Sequence, residues 1–382
     1  MTIVLYLNKL IKKIKYFLSR RVITYKPKYR TNKRVLISYV IEKYNDDKIT
    51  FHSNVWECNQ IIELFISNGF IVDVIKWDDH YFIPRKKYNY FIDIHNNLER
   101  IYKYLNKDCI KILYITGSNW VFQNVAEYNK IIEIMIKKKT VIYPRRIVEP
   151  SRGIELCDYA IMLGNKNTKK TFNYINKKIF LLNTTSNKEF DFTKNKEISK
   201  IKKNYLWMGG SGFLLKGLDV LLDFFSNNTE YNLFIFGNKY NEEDFQKIYK
   251  YELFNCNNIV YLGWVNIKEK IFKEVCDKCI AIIYPSSSEG QVVSVVNCMH
   301  TGLIPIISKE SGIDISDFGI LLKKNNYENV KSAVKKIDSM NDEDLYNKSY
   351  KSWEFARKNY SRKKYKENLR FIFKSIKEYD FE

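Results

Sequence analysis

Cys279-Ile-Ala-Ile-Ile-Tyr284-Pro-Ser-Ser-Ser-Glu289-Gly290-Gln-Val-Val-Ser-Val-Val-Asn297-Cys-Met-His300-Thr-Gly302-Leu-Ile-Pro305-Ile-Ile-Ser-Lys-Glu-Ser-Gly312 holds two apolar runs separated by small residues. Ile280–Tyr284 reads as a strand buried on both faces, and so does Leu303–Ile307. Between them, Glu289-Gly290 opens a helix that closes at Gly302. Strand, loop and helix in that order place the helix start at the carboxyl edge of a parallel sheet. The free N–H groups of the first turn and the positive end of the helix dipole make that edge an anion site. The amides after Gly290, those of Gln291 and Val292, are the expected donors, and Gly290 lets a ligand approach the backbone closely. Glu289, just ahead of the helix, can accept hydrogen bonds from hydroxyls. Amides for a diphosphate beside a carboxylate for hydroxyls suit a sugar nucleotide.

Upstream, Tyr205-Leu-Trp207-Met-Gly209-Gly-Ser-Gly212-Phe-Leu-Leu-Lys216-Gly217-Leu-Asp219 runs a strand into a glycine-rich loop and then a helix. A lone loop of this kind is weak evidence for phosphate binding. Ahead of Glu289-Gly290 it gains weight. Further strands are expected at Lys33–Val40, Phe70–Ile75, Tyr90–Ile94, Ile110–Ile115, Tyr159–Leu163, Lys178–Leu182, Tyr231–Gly237, Ile259–Gly263 and Asp317–Leu322, with helices between them. That alternation predicts parallel α/β sheets. The polar stretch Asn187–Asn204 divides the chain into two halves.

Pro285-Ser-Ser-Ser-Glu289-Gly290, a helix, Gly302-Leu-Ile-Pro305-Ile-Ile and then Gly312 resemble the donor-site signature of retaining glycosyltransferases of family 4. The resemblance is close over 204–360 and loose over 35–185. It implies the GT-B fold: two Rossmann-like domains with a cleft between them. The expected division is a basic amphipathic segment at 1–33, an acceptor-side domain at 34–186, a linker at 187–203, a nucleotide-sugar domain at 204–360 and a terminal helix at 361–382 that crosses back to the first domain. The resemblance gives Glu289 the donor sugar, and Lys216, in Lys-Gly-x-Asp, the diphosphate beside Gly210 and Ser211. Asn297 stands where the family has a second Glu that holds the ribose, so any ribose contact there lacks charge assistance. Gly210 and Ser211 stand where the family has an Arg, so one cation is missing.

In the first half, His52, His95 and the Thr116–Asn119 loop fall at strand ends or in the loop after the first strand. His95 directly ends an apolar strand and is the candidate catalytic residue there, beside Glu289. No metal site is expected. Cys276-Asp-Lys-Cys279 is a lone C-x-x-C without further ligands at suitable spacing. No cofactor is expected beyond the UDP- or GDP-linked donor. Seven scattered cysteines fit a reducing compartment, hence a cytoplasmic location.

The net charge of +21 comes from 64 Lys+Arg against 43 Asp+Glu. Residues 1–34 hold eleven Lys/Arg and no acid, interleaved with Leu10, Ile11, Ile14, Phe17 and Leu18. That pattern reads as a basic amphipathic helix on an anionic membrane surface. No nucleic-acid-binding motif accompanies the charge, so no nucleic acid partner is expected. Expected partners are a nucleotide sugar and a glycan or lipid-linked acceptor. The expected activity is metal-independent transfer with retention of configuration, and the competing reading is a non-catalytic protein of the same fold.

Overall fold

The computed structural model describes residues 22–41, 53–238 and 242–376. The basic segment through residue 21, and His52, lie outside them.

The first sheet is built from β1 (Ile23–Tyr25), β2 (Arg34–Tyr39), β3 (Ile71–Lys76), β4 (Tyr90–Asp93), β5 (Ile110–Ile115), β6 (Tyr159–Leu163) and β7 (Ile179–Leu182). Their order is β1-β3-β2-β4-β5-β6-β7. All pairings are parallel except β1 against β3, which is antiparallel. The sheet thus begins earlier than residue 34: Ile23–Tyr25, assigned by sequence to the basic segment, is its edge strand. Three residues are too few to show a period of two, which is why the strand is silent in the sequence.

The second sheet holds β8 (Asn204–Met208), β9 (Asn232–Phe236), β10 (Ile259–Gly263), β11 (Ala281–Tyr284), β12 (Ile304–Ser308) and β13 (Ile320–Leu322). It is parallel throughout, in the order β10-β9-β8-β11-β12-β13. That is the doubly wound order, with its reversal between β8 and β11. All four residues of β11 are buried, as a strand covered on both faces requires.

Helices α1 (Ser53–Ser67), α2 (Trp120–Lys138), α3 (Leu218–Ser226), α4 (Val293–Met299), α5 (Asp342–Asn359) and α6 (Arg362–Ser375) position the site. Val35, Ile37 and Tyr39 of β2 face one core, with α1, while Leu36 faces the core on the other side of the sheet. α6 returns to the first domain. Its Tyr365, Leu369, Ile372 and Phe373 join the α1 core, and the Tyr365 and Tyr114 hydroxyls meet at 2.8 Å.

α2 makes the reverse excursion. It follows β5 of the first sheet, yet its Ile131 and Ile134 pack in the core of the second domain. Lys130 Nζ pairs with Asp219 Oδ2 of α3 at 2.8 Å, with both side chains almost fully buried. Burial alone lowers the Lys130 pKa, but Asp219 and Glu133 outweigh it and raise it, so the ammonium stays charged. The stretch read as a polar linker is also anchored. Phe190, Ile198 and Ile201 enter the second core, with a single helical turn at Ile198–Ile201. Among the described residues no helix is long and apolar enough to cross a membrane.

Candidate active site in the interdomain cleft

Because the strand order reverses between β8 and β11, the loops leaving their carboxyl ends diverge and leave a crevice. The first is the glycine loop. Gly209 N–H bonds to Phe236 O at 3.0 Å, and the Gly212 and Phe213 N–H groups donate to the Glu242 carboxylate. Burial raises the Glu242 pKa; these two amides and the Ser211 hydroxyl draw it back only in part. The amides of Gly210 and Ser211 bond to none of the described residues. They are the donors this loop has left for an anion.

The second loop carries Glu289. Lys216 Nζ donates to Glu289 Oε1, and the Tyr284 hydroxyl donates to the same oxygen at 3.2 Å. The two side chains are 9% and 12% exposed, so water screens the pair little. Burial pushes the Glu289 carboxyl up, but Lys216 and then Arg146 outweigh it, so its pKa lies below the ordinary value. The carboxylate assigned to the sugar and the ammonium assigned to the diphosphate therefore neutralise one another here.

Two expectations for the following residues change. Gly290 is indeed a place of close backbone approach, but the approaching group is the first domain. A Cβ on Gly290 would lie 2.3 Å from Thr116 O, and Gly290 O accepts from Thr168 Oγ1 at 3.1 Å. The helix also begins later than Gly290. Val292 N–H is committed to Ser311 O at 3.2 Å and α4 starts at Val293, without a side-chain cap. The first-turn residues that line the cleft are Val293 and Ser294. Gln291 spends its side chain across the domains: its Oε1 accepts from Thr184 N–H at 2.7 Å and its Nε2 donates to Asn183 Oδ1 at 3.0 Å. Asn297 borders the cleft, but its Oδ1 already accepts from Ser186 Oγ at 2.8 Å. Asn297 thus anchors the interdomain chain at Ser186.

The cleft measures about 740 Å³ and brings together Gly210, Ser211, Lys216, Glu289, Gln291, Val292 and Asn297. A second cavity of about 210 Å³ joins it along Ile94, Thr116, Arg146 and Glu289. His95 lines this one, half-buried, with its ring tilted against Trp77 at 5.1 Å. Glu289 and Gly290 line it as well, together with Ser118, Asn119 and Gln123. Among the described residues no cluster of His, Cys, Asp or Glu is arranged to hold a metal ion. Cys276 and Cys279 are buried in the second core.

The sequence reading missed Arg146 and Glu57. Arg146, in Pro144-Arg-Arg-Ile147, carried no signal. Glu57 did carry one: it is the acid among the buried residues of α1, which apart from it and Gln60 are apolar. Its carboxylate borders the cleft, accepts from the Tyr39 hydroxyl at 3.2 Å and meets Thr184 Oγ1 at 3.4 Å.

Two parallel α/β sheets enclosing such a cleft define the GT-B class of proteins. Residues 189–356 match the family model "Glycosyl transferases group 1". That match covers the second domain, from the interdomain stretch to α5. Similar solved structures include a sucrose-phosphate synthase from Thermosynechococcus elongatus (12% identity, TM-score 0.61), over 91% of this chain and 99% of that one. The lipopolysaccharide outer core galactosyltransferase WaaB is similar at 14% identity and TM-score 0.55, over 90% and 99% of the two chains. TarM from S. aureus, in a complex with UDP, is similar at 14% identity and TM-score 0.55 over 74% of this chain. The match spans 55% of TarM's length. No curated protein matches the chain by sequence.

Burial raises the Glu57 pKa to about 7, against hydrogen bonds from Ser53, Tyr39 and Thr184 that lower it. A carboxyl whose folded pKa is raised contributes stability that is complete below its unfolded value and lost as pH rises through the folded one. Glu57 alone should therefore lower stability between about pH 4.5 and pH 7 by up to about 3 kcal/mol, at roughly 1.4 kcal/mol per pH unit, against the opposite contribution of buried His300, whose pKa burial lowers to about 4. Chemical denaturation of wild type and Glu57→Gln across that window checks this. Relative to wild type, the variant should gain stability as pH rises through that window and be the more stable at pH 8; a difference that does not change with pH would remove Glu57 as its source.

Proposed function

We propose that this protein is a glycosyltransferase that moves a sugar from a UDP- or GDP-linked donor to a hydroxyl of a glycan or lipid-linked acceptor. The observation that carries the reading is the Lys216–Glu289 pair at the strand-order reversal, beside the amides of Gly210 and Ser211, which bond to none of the described residues, and the first turn of α4 at Val293 and Ser294. The donor diphosphate enters between those amides and takes Lys216 from Glu289. Glu289, released, accepts from the sugar hydroxyls. Charge that develops on the leaving diphosphate meets donors already in place, the form of catalysis that costs no reorganisation. Those donors supply the charge stabilisation with no metal assigned a part, and no cofactor beyond the donor is invoked. Retention of configuration follows the family 4 resemblance. The cavity of His95, Ser118, Asn119 and Gln123 opens on Glu289 and is rich in groups that bond hydroxyls, which suits an acceptor sugar. His95 is assigned to orienting the acceptor.

A second reading is a protein that holds the donor without turning it over. Two observations favour it: Asn297 is committed to Ser186, and Gly290 is packed on Thr116. Turnover separates the two.

We also assign the protein to the cytoplasm, at an anionic membrane face where a lipid-linked acceptor resides. The basic residues of 1–34 support this. So does α2, whose Phe122, Val125, Tyr128, Ile132 and Ile136 form an exposed apolar stripe.

The two halves of the ion pair should respond with opposite signs. Lys216→Ala should weaken UDP or GDP binding by about 1.5–3 kcal/mol, the range for a hydrogen bond to a charged group. Glu289→Ala should leave nucleotide binding unchanged or tighter, because Lys216 is freed, yet lose most turnover on whichever UDP- or GDP-sugar the wild type uses. Calorimetry and a transfer assay check both. Near-normal turnover by Glu289→Ala would remove Glu289 from the reaction, and wild type that binds a donor without turnover would establish the second reading.

Full-length protein should sediment with anionic liposomes at low salt and less at high salt. Removal of residues 1–21, which spares β1, and the pair Ile132→Glu/Ile136→Glu should each reduce sedimentation. A change that leaves it as strong as in wild type removes that element from the contact.

A further inference from the structure

A nucleoside diphosphate brings two to three negative charges, and the glycine loop offers it one ammonium, Lys216, already paired with Glu289. The family 4 arginine that would stand at Gly210 or Ser211 is absent. We propose that Arg146, carried by the first domain, is the second cation for the donor diphosphate and reaches it across the cleft. This rests on the reading of the cleft as a nucleotide-sugar site.

Four observations converge on Arg146. First, its side chain lies on the glycine loop. A Cβ on Gly212, where φ is +92°, would come within 2.4 Å of Arg146 Cγ and 2.9 Å of Cδ. The loop therefore has a glycine at the point where an arginine from the other domain crosses it. Second, Arg146 lines both cavities together with Glu289, so it stands where they join. It is close enough to help draw the Glu289 pKa down.

Third, the backbone that presents it is fixed. The N–H groups of Arg145 and Arg146 donate to Glu127 Oε1 at 2.6 and 3.2 Å, and Arg146 O accepts from Gln123 Nε2 at 3.0 Å. Gln123 and Glu127 are buried on α2, the helix that Lys130 pairs with Asp219. Fourth, the guanidinium itself makes no hydrogen bond or ion pair with the described residues. A held backbone with an uncommitted planar cation suits bidentate contact with a phosphate.

Arg146 thereby ties donor binding to the relation between the domains. The diphosphate would be held by Lys216 and the Gly210 and Ser211 amides from one side, and by Arg146 from the other. A donor bridging both domains favours their closed arrangement, which keeps water from the reacting centre.

Calorimetry with UDP and GDP as probes, and with UMP and GMP for comparison, tests this on the full chain. Arg146→Ala should weaken the diphosphates roughly 10- to 100-fold, as the loss of one charged hydrogen-bonding partner does, and the monophosphates less. Arg146→Lys should recover part of the loss. Gly210→Arg in the Arg146→Ala background should recover more. The space beside Gly210 is open, because a Cβ there meets nothing within 4 Å. Two results would overturn the proposal while leaving the cleft's function standing, provided Lys216→Ala loses diphosphate affinity. One is Arg146→Ala binding the diphosphates like wild type. The other is a loss that neither Arg146→Lys nor Gly210→Arg recovers, which would make Arg146 structural. Wild type that binds neither UDP nor GDP would overturn both readings.

Discussion

Lys216 and Glu289 come from loops that are far apart in sequence and are brought together only because β8 and β11 are neighbours. Their pairing with little water constrains much around it. The glycine loop must hold its shape, which Glu242 secures through the Gly212 and Phe213 amides. Tyr284, at the end of β11, must aim its hydroxyl at the shared oxygen. A carboxylate buried this deeply would be costly if left alone, and Lys216 and Arg146 keep it ionised. An anion that displaces Glu289 from Lys216 must therefore compensate for the pair it opens. A diphosphate can do so, because it brings more charge than the carboxylate it replaces.

The two domains do not meet as independent bodies. α2 leaves the first sheet and buries Ile131, Ile134 and Lys130 in the second domain, while α6 leaves the second and buries Tyr365, Leu369 and Phe373 in the first. The crossing helices hold the cleft walls. Gln291 with Thr184 and Asn183, and Asn297 with Ser186, tie its floor. Any closing motion acts on those contacts, which are polar and can exchange partners, before it acts on the apolar crossings.

Both sheets were legible in the sequence because their central strands are buried on both faces and so read as apolar runs: Ile110–Ile115, Ala281–Tyr284 and Ile304–Ser308 stand where those runs lie. Glu289 and Lys216 were legible because each stands in the loop between a strand and the next helix, inside a spaced pattern. Arg146 was not, since its place depends on a loop folding back over α2 onto Gly212, and no local pattern encodes that. The onset of α4 was misjudged by three residues because the Val292 amide is taken by Ser311, a partner from the next strand's end. Gln291 and Asn297 were found as residues of the cleft. Their bonding across it depends on the first domain, which a reading of one motif cannot include.

The central claim is that a nucleoside diphosphate occupies the crevice between β8 and β11 by parting Lys216 from Glu289. A crystal structure of the full chain with UDP or GDP tests it most directly. The account predicts the diphosphate on Lys216 and on the Gly210, Ser211, Val293 and Ser294 amides, with the Lys216–Glu289 contact broken. A nucleotide bound elsewhere, or bound with that pair intact, would contradict it.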